Sequence, residues 1–430
     1  MEAELFGPRR RRGRIARMPE PSPASEDPHN RAAKARIMLV AGEASGDLHG
    51  ASLAAAVRET SPETEMFGVG GDRMAAAGVE LAYHMRNLAV VGITEVVRHL
   101  GDVRAALNVL TQAAEERDVD AVVLIDYPDF NLTLARRLRK RMPDVPIVYY
   151  ISPQVWAWRA GRIKKIARLV DLMLVILPFE KALYESTGLR VDFVGHPLLD
   201  VISLGADRAA FAERHGAPPR DTWIALVPGS RRAEVERLLD PMLEAAASLM
   251  LRVGKPRFLI PVSPSLENTV YEEALARFPD LSDHIYLICD DYYATLEHST
   301  VAAVCSGTAT LEATLTDTPM VVVYRTSWLT YNLAKLLVRV RDIALVNLIA
   351  GRRAIPELVQ GEVTGPRIAD ELKTLLNLHA RRGAVLDTLA EVREQLGEPG
   401  ASARAARAVL EVAGGIPAAE ALSHGDEHIP

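Results

Sequence analysis

Short apolar runs rich in Val, Ile and Leu recur along this chain, each broken by Gly, Pro or a polar residue and followed by a helical stretch. Runs of that kind suit strands buried on both faces of a parallel sheet, with helices as the crossovers. The clearest is AVVLIDYPDFN at residues 121–131. Its five apolar residues predict a buried strand, and Pro128, which cannot donate to a ladder, marks the end. Asp126 is thereby placed at the carboxyl edge, where open α/β sheets bind ligands. Asp129 falls at a predicted helix start, where a carboxylate can cap free N–H groups. We assign chemistry to Asp126 and structure to Asp129; the alternative makes both turn and cap residues.

At least five strand–helix alternations fill the first half. RIMLVAGEASGDLHG predicts a strand, a glycine loop and a helix, with Gly42 and Gly46 freeing the backbone and Ser45 and Asp47 as N-cap residues. The loop is neither a Walker A motif nor GxGxxG, so what remains is exposed N–H groups suited to anions or sugar hydroxyls. Leu88–Val97 is unusually apolar and is followed by Arg98, His99 and Arg104. It is a core helix or a greasy, cation-rimmed lip for an acylated anionic ligand. After a strand at 147–151, Gln154, Trp156, Trp158 and Arg159 come from a loop that would line a cleft. His196, in GHPL at the close of a strand, is a catalytic base or, the favoured reading, a structural hydrogen-bonder.

Residues 200–220 look like a passage between domains, after which the sheet pattern starts again. Pro228, Gly229 and Ser230 shape a turn, and Arg231 and Arg232 open a long helix; helix-start N–H groups beside a guanidinium make a diphosphate site. A second polar helix start, Ser306-Gly307-Thr308, follows a later strand. Glu312 is placed to bind a ribose diol or to act as a capping-box partner of Thr308. The basic, amphipathic stretch 328–341 is a packing helix or an interfacial one. Helices are expected over 367–396 and 401–413, with no further strands.

The 430 residues suffice for two domains, and a net charge of −6 provides no general field for nucleic acid. The two cysteines are too few for a disulfide framework, which fits a reducing cytoplasm. RRRRGR at residues 9–14 has no apolar run after it, so it is read as a disordered tail or a weak electrostatic tether, not a secretory signal. No stretch reaches the ~20 consecutive apolar residues of a membrane span. No metal site is expected: Asp118 and Asp120 precede their strand, and they and Asp290 and Asp291 are read as solvated loop acids.

AGEASGDLHGA, IDYPDFN, ISPQVWAWR, LPFEKALY, VGHPL, LVPGSRRAEV, SGTATLEATL and NLIAGRRAIPEL, in this order, resemble the lipid-A-disaccharide synthase family from about Arg36 to Ala413. The resemblance implies an α/β GT-B fold: two Rossmann-like, doubly wound domains facing a central cleft, with closing C-terminal helices. The expected divisions are a basic, Pro-rich extension (1–35), an acceptor-side domain (36–205), a UDP-sugar domain (206–366), closing helices (367–413) and a flexible tail (414–430).

It also implies an inverting, metal-independent transferase without cofactor, joining UDP-2,3-diacylglucosamine to 2,3-diacylglucosamine 1-phosphate. Asp126 would be the base. Gly42, Glu43, Ser45, Gly46, Asp47, Asp129, Gln154 and Trp156 would line the acceptor side. Gly229, Ser230, Arg231, Ser306, Gly307, Thr308, Glu312 and Asn347 would hold UDP. The setting implied is the cytoplasmic surface of a Gram-negative inner membrane, with peripheral association and a homodimer as an open arrangement. Rival readings are another GT-B enzyme acting on UDP-N-acetylglucosamine, a UDP-sugar epimerase, or a non-catalytic binder that kept the fold.

Overall fold

The computed structural model describes residues 35–88, 96–154, 160–254, 256–327, 331 and 342–414. Trp156, Trp158, Arg159, most of the apolar stretch after Leu88, nearly all of 328–341 and both termini lie outside them.

Two all-parallel sheets carry the fold. The first contains β1 (Arg36–Ala41), β2 (Glu65–Gly70), β3 (Glu80–His84), β4 (Ala121–Ile125), β5 (Ile147–Tyr150), β6 (Leu172–Val175) and β7 (Arg190–Phe193), in the order β3-β2-β1-β4-β5-β6-β7. The second contains β8 (Trp223–Val227), β9 (Arg257–Pro261), β10 (Ile285–Ile288), β11 (Val301–Cys305), β12 (Met320–Tyr324) and β13 (Glu357–Val359), in the order β10-β9-β8-β11-β12-β13. Strand order reverses between β1 and β4 in one sheet and between β8 and β11 in the other. Those two points open the crevices where doubly wound sheets take ligands.

Alternation along each strand sends side chains to both faces. In the first sheet Ile37, Leu39, Val123 and Ile125 pack on one side with Leu53 and Val57 of helix Ala44–Thr60. Met38, Val40, Val122 and Leu124 pack on the other with Leu110, Leu134 and Leu138. Both faces are dry, which is why these strands read as continuous apolar runs.

The predicted strands are present, but β3 (ELAYH) and β13 (ELV) were not expected: they are short edge strands of mixed polarity, with no apolar run to announce them. The helix expected over 367–396 is two, Gly365–Asn377 and His379–Gln395, divided at Leu378. The last helix, Ala401–Val412, leaves the second sheet and lies against Ala44–Thr60 of the first. Asp200 receives the N–H groups of Ala401 and Ser402, Arg404 donates to the Val194 carbonyl, and Arg190 pairs with Glu411. The chain thus passes between the two sheets twice.

His196 sits at that junction, buried, with Nδ1 accepting the Leu198 N–H and its own backbone N–H donating to Leu396. Burial, then neighbouring His49, hold its pKa down to about 3, so it is a neutral hydrogen-bonder as expected. Asp291 is corrected: instead of a solvated acid it is a left-handed helix-start residue bound to Arg214 and to His215 Nε2 at 3.0 Å. Asp120 is likewise corrected: instead of a solvated acid it accepts the Arg36 N–H at 2.8 Å at the amino edge, away from either crevice.

Candidate active site

The turn after β4 is built to hold Asp126 in an unfavourable backbone conformation. Asp126 and Tyr127 both have positive φ, 45° and 44°, a region that costs an ordinary residue about 1–2 kcal/mol. The turn persists because its neighbours fix it. Asn131, fully buried, donates to the Ile125 carbonyl at 3.1 Å and to that of Asp126 at 2.7 Å. The Tyr149 hydroxyl donates to the Asp126 carbonyl at 2.6 Å, and the Asp126 N–H bonds to Tyr150 at 3.0 Å. Pro128 then opens helix Pro128–Arg141 with its φ already suited to the first turn. The Tyr127 ring lies across Gly42, where a Cβ would collide with it. That explains the glycine and ties the β1 loop to the β4 turn.

Asp126 is mostly buried, and desolvation is the chief cause that lifts its carboxyl to about 6; nearby Glu43 adds to the rise, while the Tyr127 N–H and Arg231 oppose it. This environment answers the weakness of an ordinary carboxylate as a base for an alcohol.

Across the crevice the β8 turn presents Gly229, Ser230 and Arg231 at the start of helix Arg232–Arg252. Gly229 has φ 113°, and a Cβ there would meet the Glu234 carboxylate. The N–H groups of Ser230 and Arg231 both donate to Glu234 Oε2 at 3.2 Å. The expectation that this turn offers those amides to a diphosphate is therefore corrected: a carboxylate of the same helix takes them. The Arg231 guanidinium remains exposed between Glu234 at 3.5 Å and Glu43 of the opposite sheet at 4.0 Å. That Glu43–Arg231 approach brings the two carboxyl edges face to face.

The third loop follows β11. Ser306 Oγ donates to the Ile343 carbonyl at 3.3 Å, Gly307 has φ 146° with open space around it, and Thr308 is exposed. Glu312 does not cap Thr308. It accepts the Tyr292 hydroxyl at 2.8 Å and is also hydrogen-bonded by Tyr293, and burial raises its pKa. Two tyrosines thus hold the Glu312 carboxyl in place.

Other expected residues sit elsewhere. Asp47 does not cap its own helix or face the cleft; it is buried and accepts the N–H groups of Gly71 at 2.6 Å and Met74 at 3.1 Å, starting the helix Asp72–Ala76. Gly46 is buried against Ala41 and serves packing. Asn347 is corrected from cleft to core: it donates to Ile355 and Glu357 and accepts from Ala354 and Ile355, using its whole hydrogen-bonding capacity out of solvent. Glu43, Ser45 and Gln154 are exposed at the first edge, and Asp129 pairs with Arg162 at 3.1 Å. Sequence reasoning missed Glu234, Tyr292 and Tyr293. Only Glu234 carried a signal, its capping-box distance from Arg231.

A family model described as Lipid-A-disaccharide synthetase matches residues 37–412. The lipid-A-disaccharide synthase of Myxococcus xanthus is 44% identical over 377 residues, spanning 88% of this chain and 97% of its own. That of Anaeromyxobacter dehalogenans strain 2CP-1 is 45% identical over the same length, with 88% and 97% covered. The chain belongs to the lipid-A-disaccharide synthase family. It is a glycosyltransferase acting in lipid A disaccharide synthesis.

Solved structures at low identity share the GT-B fold. The S. aureus MnaA–UDP structure has a TM-score of 0.62 at 14% identity, covering 89% of this chain and 98% of that one. The calicheamicin glycosyltransferase CalG4 has 0.58 at 15% identity, with 89% and 98% covered. The UDP-GlcNAc 2-epimerase of Neisseria meningitidis bound to UDP-GlcNAc has 0.60 at 11% identity, with 88% and 100% covered.

The charges around Asp126 set a pH signature for this synthase. With Asp126 as the base, the role proposed below, it must be ionised, so kcat/KM is expected to rise as pH climbs through about 6 and to level off above it. Glu43 disfavours the ionised form, so Glu43→Gln should move that acid limb to lower pH. Profiles of kcat/KM against pH for the two proteins check this; coincident limbs would separate the limb from Asp126.

Proposed function

We propose that this synthase transfers 2,3-diacylglucosamine from its UDP derivative to the 6-hydroxyl of 2,3-diacylglucosamine 1-phosphate, with inversion at the anomeric carbon. Asp126 takes the O6 proton as O6 bonds to the anomeric carbon. The bond from that carbon to the diphosphate oxygen breaks, and its electron pair leaves with UDP, whose charge the Arg231 guanidinium meets. The products are the β-1,6 lipid A disaccharide 1-phosphate and UDP.

The observation that carries this reading is the pairing across the crevice: a carboxyl lifted toward neutrality on one edge and an exposed guanidinium on the other, with Glu43 beside both. In this reading residues 36–205 form the acceptor side and 206–366 the donor side, closed by 367–413. Ser306, Gly307 and Thr308 join Arg231 at the diphosphate, Glu312 takes the ribose, and Glu43, Ser45 and Gln154 border the acceptor. No helix among the described residues is long and apolar enough to cross a membrane. Diacylated substrates reside in a bilayer, so we assign the enzyme to the inner-membrane surface as a peripheral protein.

The test is incubation of purified enzyme with both substrates, followed by mass spectrometry. A tetra-acylated disaccharide phosphate formed one-to-one with UDP is the expected result. Consumption of UDP-N-acetylglucosamine with no disaccharide would move the assignment to the epimerase reading.

A further inference from the structure

A second cationic site lies on the first half of the chain: it begins at Asp129, beside the carboxyl edge of the sheet, and runs down helix Pro128–Arg141. A cavity of about 240 Å³ opens between helix Pro128–Arg141 and the segment Ala160–Ile166. Among the described residues, Arg136, Arg162 and Lys165 line it with one carboxylate, Asp129, together with the apolar Leu132 and Ile166. The cations outnumber the carboxylate by two.

Its position is informative. Asp129 stands three residues after Asp126, so the cavity's near end lies within roughly 10 Å of chain from the base. Arg162 follows the loop that leaves the carboxyl end of β5, next to β4 in the sheet. Asp129 Oδ1 accepts from Arg162 Nη1 at 3.1 Å, which orients the guanidinium at the first turn of helix Pro128–Arg141. Lys165 and Arg136 stand one to two turns farther down their helices, on the same cavity. A planar fork beside a mobile ammonium is a donor set for a phosphate monoester, which carries more charge than one cation neutralises.

The donor's diphosphate is met on the other sheet, so this site serves a different anion. We propose that Arg162 and Lys165, with Arg136 at the rim, bind the 1-phosphate of the acceptor, with Asp129 as the positioning residue for Arg162. The inference rests on the acceptor assigned above. On a pyranose C1 and C5 flank the ring oxygen, so O6 and the 1-phosphate stand within one sugar's width of each other, and a phosphate at the near end of this cavity leaves O6 within reach of Asp126. The apolar lining accommodates the sugar face and the first methylenes of an acyl chain.

The experiment compares wild type with Lys165→Gln and with Arg162→Gln/Lys165→Gln in detergent micelles, using the acceptor with a 1-phosphate and the same lipid with a 1-hydroxyl. Wild type should prefer the phosphate. The double variant should raise KM for the phosphorylated acceptor about tenfold or more, collapse the preference, and leave KM for the UDP-sugar where it was. Lys165 is exposed, so the single variant should fold normally and show the smaller effect in the same direction. Equal loss on both acceptors, or an unchanged preference, would overturn the proposal. So would weaker binding to phosphatidylglycerol vesicles with the preference intact, which would make the cavity a contact for membrane headgroups. Absence of product from wild type with either acceptor would instead refute the assigned reaction.

Discussion

Asp126→Asn should abolish turnover while UDP binds as before. General-base assistance contributes about 10²–10⁴ in rate, so kcat is expected to fall by that factor or more, with the UDP dissociation constant, read by calorimetry, unchanged. Asparagine is isosteric with aspartate and enters the left-handed region readily, so the turn with φ 45° at this position should survive. A stability measurement guards the interpretation. Burial raises the folded-state pKa of Asp126 to about 6. The wild-type protein therefore bears the cost of a buried charge above pH 6, and the cost vanishes below the unfolded value near 4. The Asn variant should be the more stable protein above pH 6, by at most about 3 kcal/mol and less with solvent screening, and should lose that advantage in acid. Joint loss of stability and UDP binding would make Asp126 a structural residue.

The second large effect is expected at Arg231. Its guanidinium is exposed, and its contacts to Glu43 at 4.0 Å and Glu234 at 3.5 Å are solvated pairs worth roughly 0–1 kcal/mol to the fold. Removing it should therefore spare stability and fall on function. Loss of one donor to charge developing in the transition state costs about 10²–10³ in kcat, and the ground-state diphosphate also loses a partner. Arg231→Ala should lower kcat/KM for the UDP-sugar by about that factor and weaken UDP binding. Lysine should restore part of the loss, since it returns the charge without the fork. Steady-state kinetics with both variants check this; unchanged kcat and KM would remove Arg231 from the diphosphate site.

What the sequence discloses follows from how local each cause is. The central strands were legible because burial on both faces makes an unbroken apolar run, as in Ala121–Ile125. Asp126 was legible because Pro128 shows where the strand must end. The edge strands β3 and β13 were not, since each is short and mixed in polarity and carries no such run. Asp47 and Asn347 show a different limit. Both are polar residues in loops of the kind that line sites, and both serve backbone amides elsewhere: Asp47 those of residues 71, 73 and 74, Asn347 those of 354 and 355. Tyr292 and Glu312 meet only through the fold, from different helices. The raised pKa of Asp126 likewise depends on burial and on Glu43, more than eighty residues away.

The return of helix Ala401–Val412 to the first sheet bears on the order in which the molecule is made. Leu53, Ala54 and Val57 of helix Ala44–Thr60 leave the ribosome early, and Ala405, Val409 and Leu410, on the helix that lies against them, emerge at the end. From the end of β7, which completes the first sheet, to Ala401 lie roughly 200 residues, which a ribosome adding about 5–20 residues per second needs roughly 10–40 s to produce. For that interval the first-made half carries an apolar face open to water or to a chaperone, although its own strands are complete. Synthesis therefore finishes where it started, and the first sheet is sealed by the last helix.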